Sequence, residues 1–450
     1  MRAAARGDRE ASRAALGGVP VALEDLILSI DSLDAEGRGV ARSAQGKVAF
    51  VEGALPGERV VPRFFNKKSS YDEGVAIRIL SESPGRRAPR CPHYGVCGGC
   101  ATQHADARLQ MAAKQRGLEE NLARIGKLSP ETMLPIVYGE EWGYRHRARL
   151  SVRRVEKKGG VLVGFRERRS TYVAELDECP VLPPHVSRLI PLLRELIEKL
   201  SVRSRLPQVE VAVGDNATVL IFRHLDALQE SDLALLKAFS EESGVHVWLQ
   251  PKGPDSAHPL HPAQSELHYG LPEFGVRIGF GPTDFTQVNF GINRILVSRA
   301  VRLLDPQPGE RIADLYCGLG NFSLPLAVRG ASVVGFEGSR ALVERARRNA
   351  TANGVVAQFE AADLVKNGIQ AFGPFPKMLI DPPREGAIEI VKSLPAAWPR
   401  RIVYVSCDAA TLARDAGVLA HVQGFRLAAA GVVNMFPHTA HVESIALFER

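Results

Sequence analysis

The chain predicts a multidomain α/β protein: an N-terminal β-barrel of OB-like type over residues 20–82, a central α+β region over 83–284, and a C-terminal doubly wound, Rossmann-like sheet over 285–450. Three observations carry this. At 450 residues the chain has room for about three domains, each able to bury its own core. Short apolar and β-branched runs at 26–30, 47–51, 60–65 and 74–80 are broken by glycine-containing turns, the pattern of a small barrel. After Phe280 the pattern becomes strand, glycine-rich turn and helix, repeated.

The Arg-rich first twenty residues read as a disordered tail. Residues 14–23 are uncharged, but Gly17, Gly18 and Pro20 argue against the helical core of a signal peptide, and no run is apolar and long enough to span a bilayer. In the barrel, Arg63, Lys67 and Lys68 around Phe64 and Phe65 suit RNA, with solvated surface an equal reading. A Pro/Arg-rich linker, 83–90, leads to Cys91, Cys97 and Cys100. Residues 105–125 follow as a helix, with Leu109, Ala112, Ala113, Leu118 and Leu122 at helical spacing.

The net charge is +7, and its excess is local. From Tyr144 to Arg169 there are 10 Lys/Arg against Glu156 and Glu167, a net of +8. Alternation through Arg145, Arg147, Arg149 and Arg153 would give a strand one basic face, which attracts phosphate backbones. Two helices, 184–200 and 229–243, and a loop over 251–262 complete the central region. The C-terminal strands fall at 311–316, 332–337, 356–360, 377–381 and 401–406, and a hairpin of 425–433 with 442–448 finishes the sheet.

The chemistry sits at strand ends. Cys407 closes the buried strand 401–406, where α/β sheets present ligands, and so reads as a nucleophile, weighed against a small packing residue. Asp314-Leu-Tyr-Cys-Gly318-Leu-Gly320-Asn321 follows a strand and opens a helix, its glycines permitting close approach of backbone to a ligand. Glu337 ends the next strand and can accept from ribose hydroxyls. This pattern alone does not separate a dinucleotide from S-adenosylmethionine. Asp363 is placed to meet an adenine. Asp381-Pro-Pro-Arg384-Glu-Gly386 is a stiff loop that holds Asp381 at the crevice. Six cysteines do not make a secreted disulfide framework; Cys91, Cys97, Cys100 and Cys179 look like ligands, and spacing leaves zinc and an iron–sulfur cluster equally open.

Together these pieces resemble the RNA (uracil-5-)-methyltransferases. The matching segments are DLYCGLGNFSLPLA, DPPREG, YVSCD, FTQVN and the terminal PHTAHVES with Glu443. The N-terminal barrel is similar to a TRAM domain, and Cys91, Cys97, Cys100 and Cys179 are similar to the family's [4Fe-4S] ligands. The arrangement is most similar to the family's 23S ribosomal RNA enzymes, since the tRNA enzymes commonly lack both barrel and cluster. The resemblance implies a cytoplasmic, monomeric enzyme without a membrane or obligate protein partner. It carries Gln287, Tyr316, Asn321, Glu337, Asp363 and Asp381 over as S-adenosylmethionine-site residues, Cys407 as nucleophile and Glu443 as base. Carbon 5 of uracil is a weak nucleophile, so the Cys407 thiolate first adds to carbon 6; after methylation a base must take the carbon-5 proton before Cys407 leaves. The target uridine must be unstacked to be reached. Radical S-adenosylmethionine enzymes form a rival class, but five residues separate Cys91 from Cys97 and a fourth cysteine closes the iron site they need. A non-catalytic RNA binder has no need of Cys407 or Glu443.

Overall fold

The computed structural model describes residues 27–450; the expected N-terminal tail lies outside them. The chain forms two compact units, one holding the barrel strands and the other residues 35–37 together with 85–450. The barrel strands are β1 (Leu28–Leu33), β2 (Gly39–Arg42), β3 (Val48–Glu52), β4 (Arg59–Lys67) and β5 (Tyr71–Ser81), closed in the order β1-β2-β3-β5-β4. Alternation turns Leu28, Ile30, Ala49, Val51 and Val60 inward. Four-residue β2 is too short to register as a sequence pattern. Phe65 is exposed, and Lys67 Nζ lies 5.6 Å from the centre of the Phe64 ring.

The second unit contains β6 (Thr132–Met133), β7 (Arg147–Val155), β8 (Gly160–Gly164), β9 (Gln208–Val213), β10 (Thr218–Arg223), β11 (His246–Gln250), β12 (His258–His261), β13 (Leu267–Leu271) and β14 (Val276–Phe280). It continues with β15 (Arg311–Leu315), β16 (Ser332–Glu337), β17 (Gln358–Ala361), β18 (Lys377–Ile380), β19 (Arg401–Ser406), β20 (Arg426–Val433) and β21 (Glu443–Glu449). Three sheets result: β12-β11-β10-β9-β7-β8, the β13-β14 hairpin, and β17-β16-β15-β18-β19-β21-β20-β6.

In β7 the pleat sends Leu150 and Val152 into the core and leaves Arg149 and Arg153 exposed. Of the expected alternating basic face β7 carries Arg147, Arg149 and Arg153, but Arg145 lies ahead of the strand, Arg147 is half-buried and Arg149 forms a 3.2 Å ion pair with Glu210 on β9. The segment 251–262, expected as a loop, contains β12. Pro259 disguises it: an edge strand tolerates a proline because its outward amide needs no partner.

The eight-stranded sheet is apolar on both faces. Ile312, Val333, Leu379, Val403 and Ile445 pack on one side, and Ala313, Val334, Met378, Ile402 and Ala446 on the other. Both-face burial is why these strands read as unbroken apolar runs. β21 inserts antiparallel between β19 and β20, so its first residue lies at the same sheet edge as the last residue of β19.

The helix expected over 105–125 spans Ala107–Asn121 and ends in a π turn, Leu122–Gly126. Of the expected apolar stripe Leu118 and Leu122 are buried, but Leu109 and Ala113 are only partly so and Ala112 is exposed, and the rest of the buried face is Gln110 and Lys114. The cause is its neighbour, a loop rich in polar backbone that links β20 to β21. Among the described residues no helix is long and apolar enough to cross a membrane.

Candidate active site

Cys407 stands one residue beyond β19, half-buried, and the turn around it is fixed at both ends. Ser406 Oγ donates to the Asp408 carbonyl at 2.9 Å, and Asp408 Oδ1 accepts from the Thr411 amide at 2.9 Å, capping the helix Ala409–His421. Ser406 pairs with Ser444 across β19 and β21, so Cys407 and Glu443 flank the last pair of this ladder. Thirty-odd residues of separation in sequence thus become adjacency at one sheet edge.

Glu443 is buried, and burial followed by the Asp381 charge pushes its carboxyl well above the usual range. Burial also pushes the Cys407 thiol up. Glu443 and Asp381 add to that rise, and the Arg384 guanidinium opposes it. Arg384 is held against His441 Nδ1 at 3.2 Å, while the Thr411 hydroxyl donates to the Arg384 carbonyl at 3.0 Å. The DPPREG loop therefore brings one cation to a thiol otherwise surrounded by acids.

The glycine-rich turn lies two strands away, at the same edge. Tyr316 has φ +63°, and Gly318 and Gly320 have φ +53° and +89°. A Cβ at Gly318 would meet nothing within 4 Å, so the backbone there borders open space. Glu337 accepts from the Gly318 amide at 3.3 Å and the Ser339 amide at 2.9 Å. Asp381, one residue beyond β18, is pushed up to about 7 by burial. The Tyr316 phenol is raised by burial and then by the charges of Asp415, Asp363 and Glu337.

Asp314, quoted in the sequence motif but given no role there, proves to be part of the crevice. It is fully buried; Ser323 Oγ bonds Oδ2, whereas Oδ1 has no partner. Burial pushes its carboxyl up to about 7, with Asp381 and Glu337 adding. A buried acid with an orphaned oxygen beside a glycine-rich turn fits a cationic, hydrogen-bonding ligand. Sequence reading could have found it from its place at the end of β15.

The remaining carried-over residues lie at the margin. Asn321 bonds reciprocally with Asn293 (2.9 and 3.0 Å) and accepts from Tyr269 at 2.9 Å, which ties the turn to the helix Phe290–Leu304. Gln287 is half-buried just before that helix, two residues ahead of its cap Asn289. Asp363 is exposed and caps Leu364–Asn367; hydrogen bonding to Lys366 holds its carboxyl low.

Cys91, Cys97, Cys100 and Cys179 all line one cavity of about 270 Å³, with Arg145, Glu178, Arg384 and His441. Burial pushes Cys100 up to about 11 and Cys179 up to about 12, and the other cysteines add to both rises. No group of three or more His, Cys, Asp or Glu among the described residues is already drawn into metal-ligating geometry. The chemistry of the donor set nonetheless fits a thiolate-bound centre: four thiols line one cavity beside Arg145 and Arg384, and the charge of a bound metal would further favour their deprotonated forms.

The family model described as tRNA (Uracil-5-)-methyltransferase matches residues 106–450. The 23S rRNA (uracil(1939)-C(5))-methyltransferase RlmD of Thiobacillus denitrificans is 60% identical over 430 residues, covering 94% of this chain and 99% of the relative. The protein of the same name from Azoarcus sp. is 59% identical, with 94% and 99% covered. Among solved structures, Pyrococcus abyssi tRNA (uracil-54, C5)-methyltransferase in complex with S-adenosyl-L-homocysteine superposes with a TM-score of 0.73 at 26% identity, covering 94% and 99%.

Proposed function

Because the chain belongs to the tRNA (uracil-5-)-methyltransferase family, we propose that it methylates carbon 5 of a uridine in 23S ribosomal RNA through a covalent Cys407–uracil adduct. The observation that carries the chemistry is the pairing of a nucleophile and a buried carboxyl at the adjoining ends of β19 and β21. S-adenosylmethionine supplies the methyl group. Gln287, Tyr316, Asn321, Glu337, Asp363 and Asp381 would hold it, joined by Asp314, whose free oxygen and neighbouring glycine turn support the fit.

Cys407 loses its proton and its sulfur bonds carbon 6, driving the electron pair of the 5,6 double bond toward carbon 4 and its oxygen. Carbon 5, made nucleophilic, takes the methyl group from the sulfonium of S-adenosylmethionine, whose methyl–sulfur bond breaks to leave S-adenosylhomocysteine. Glu443 then removes the carbon-5 proton, the 5,6 double bond re-forms, and the carbon–sulfur bond breaks to return Cys407. Arg384 stabilises the thiolate at the outset, since its charge opposes the rise of the Cys407 pKa.

The barrel, read as TRAM-like over 20–82, and the basic face of β7 suit RNA backbone. The central region over 83–284 and the methyltransferase region over 285–450 complete a three-part organisation. We read the protein as cytoplasmic and monomeric.

Substrate choice is tested by methyl transfer from labelled S-adenosylmethionine to unmodified 23S rRNA and, separately, to unmodified tRNA. Label in 23S rRNA as a single 5-methyluridine is expected, and mapping would check it against the position 1939 in the relatives' names. Label in tRNA alone would keep the chemistry and overturn the substrate.

The four cysteines are read as holding a [4Fe-4S] cluster. Protein purified without oxygen should contain about four iron and four sulfide per chain. Cys179→Ser should lose most of both. Zinc in their place would overturn the cluster.

A further inference from the structure

Nine residues, 434–442, join β20 to β21 and deliver Glu443 to the sheet edge. Their backbone is not one the sequence adopts freely, because His438 is a non-glycine residue at φ +64°. What holds it comes from far away in the chain. Gln110 Oε1 accepts from the His438 amide at 2.9 Å. The Ala101 and Thr102 amides donate to the His438 carbonyl at 2.9 and 3.0 Å, and the Tyr144 hydroxyl donates to the Pro437 carbonyl at 2.9 Å. Lys114 Nζ donates to Asn434 Oδ1 at 2.8 Å and to the Phe436 carbonyl at 2.9 Å.

Lys114 is the informative member. It is 5% exposed and its ammonium meets neutral acceptors, so burial pulls its pKa down to about 7. An apolar chain on this helix face would avoid that desolvation. Its side-chain hydrogen bonds go to the loop, and they bear on the base directly: Asn434 follows Val433, the residue that pairs with Glu443 across β20 and β21.

We propose that Gln110 and Lys114 are positioning residues for Glu443, fixing the loop 434–442 so that the carboxylate meets the carbon-5 proton. The inference rests on the Cys407–Glu443 reading. It makes the clamp matter most after methyl transfer, since Glu443 continues directly from the clamped loop, whereas Cys407 is carried by β19 and is linked to that loop through the Arg384–His441 contact.

The test is a single-turnover reaction of the full chain with labelled S-adenosylmethionine and unmodified 23S rRNA transcript. It follows both methylated protein–RNA adduct on denaturing gels and free methylated RNA. Lys114→Met and Gln110→Ala should leave methyl transfer within about twofold of wild type while slowing release by about tenfold to a hundredfold, the scale of a small misplacement. Gln110→Glu, its carboxyl kept protonated by burial, retains an acceptor for the His438 amide and a donor for the Ala105 carbonyl, and should recover release to within about threefold. That rescue separates positioning from general loosening, and the Gln110 pair carries the test should Lys114→Met fail to fold.

Equal slowing of both steps, or no slowing of release, would overturn the proposal. Glu443→Gln run beside these variants distinguishes the two readings: if it traps methylated adduct and the clamp variants do not, the clamp alone is refuted. If Glu443→Gln releases normally, the base assignment falls and the inference falls with it.

Discussion

Cys407→Ala is expected to abolish methyl transfer, with a fall of about 10⁴-fold or more, the scale on which loss of a nucleophile acts. No other thiol can replace it: Cys317 is buried within the glycine-rich turn, and the remaining four converge on their own cavity. RNA carrying 5-fluorouridine gives the cleaner readout. Fluorine cannot leave as a cation, so wild type should stall as a cross-linked adduct and Cys407→Ala should form none. An adduct formed by Cys407→Ala would identify another nucleophile. The pH dependence has a definite sign. Burial, Glu443 and Asp381 all favour the protonated thiol, so adduct formation should accelerate as pH rises toward the raised Cys407 pKa.

Glu443→Gln is expected to separate the two halves of the reaction. Addition and methyl transfer need Cys407, and they should proceed. Proton removal needs the carboxylate, so methylated adduct should accumulate and release should slow by about 10²- to 10⁴-fold, the usual contribution of a positioned base. In wild type the ionised fraction of Glu443 grows with pH through its raised pKa, and release should grow with it. The glutamine variant should lose that dependence. Chasing the trapped adduct at several pH values checks this, and a release rate in Glu443→Gln that still climbs with pH as in wild type would point to a different base.

Much of this site was legible in the sequence because parallel strands buried on both faces must be written as apolar runs. The expected 332–337 and 401–406 match β16 and β19 residue for residue, and their ends fixed where Glu337 and Cys407 would stand. Local motifs were legible for the same reason, since glycine and proline act on their own backbone. Relations between distant segments were not. The hairpin of β20 and β21 could be expected, but not that β21 would enter between β19 and β20 and so join Glu443 to Cys407. Gln110 and Lys114 looked like the polar positions of an ordinary helix. Their partners lie more than 300 residues further along the chain, and nothing in either segment alone specifies the other. β12 was hidden because proline, normally a sign against a strand, is harmless at an edge.

The acids gathered at the carboxyl edge of the large sheet tie the crevice to the pH of the solution. Asp314 and Asp381 stand near 7, well above an unfolded carboxylate, so the folded chain holds protons that the unfolded chain has already released. The stability these two groups contribute is therefore full in acid and is lost as pH climbs from about 4 to about 7. A cation entering the crevice reverses the preference, favouring the ionised carboxylates and expelling their protons into solution. Binding of S-adenosylmethionine should thus tighten as pH rises toward 7. Its measured heat should also differ between buffers in proportion to their ionisation enthalpies, whereas a heat that is the same in every buffer would mean that these acids keep their protons.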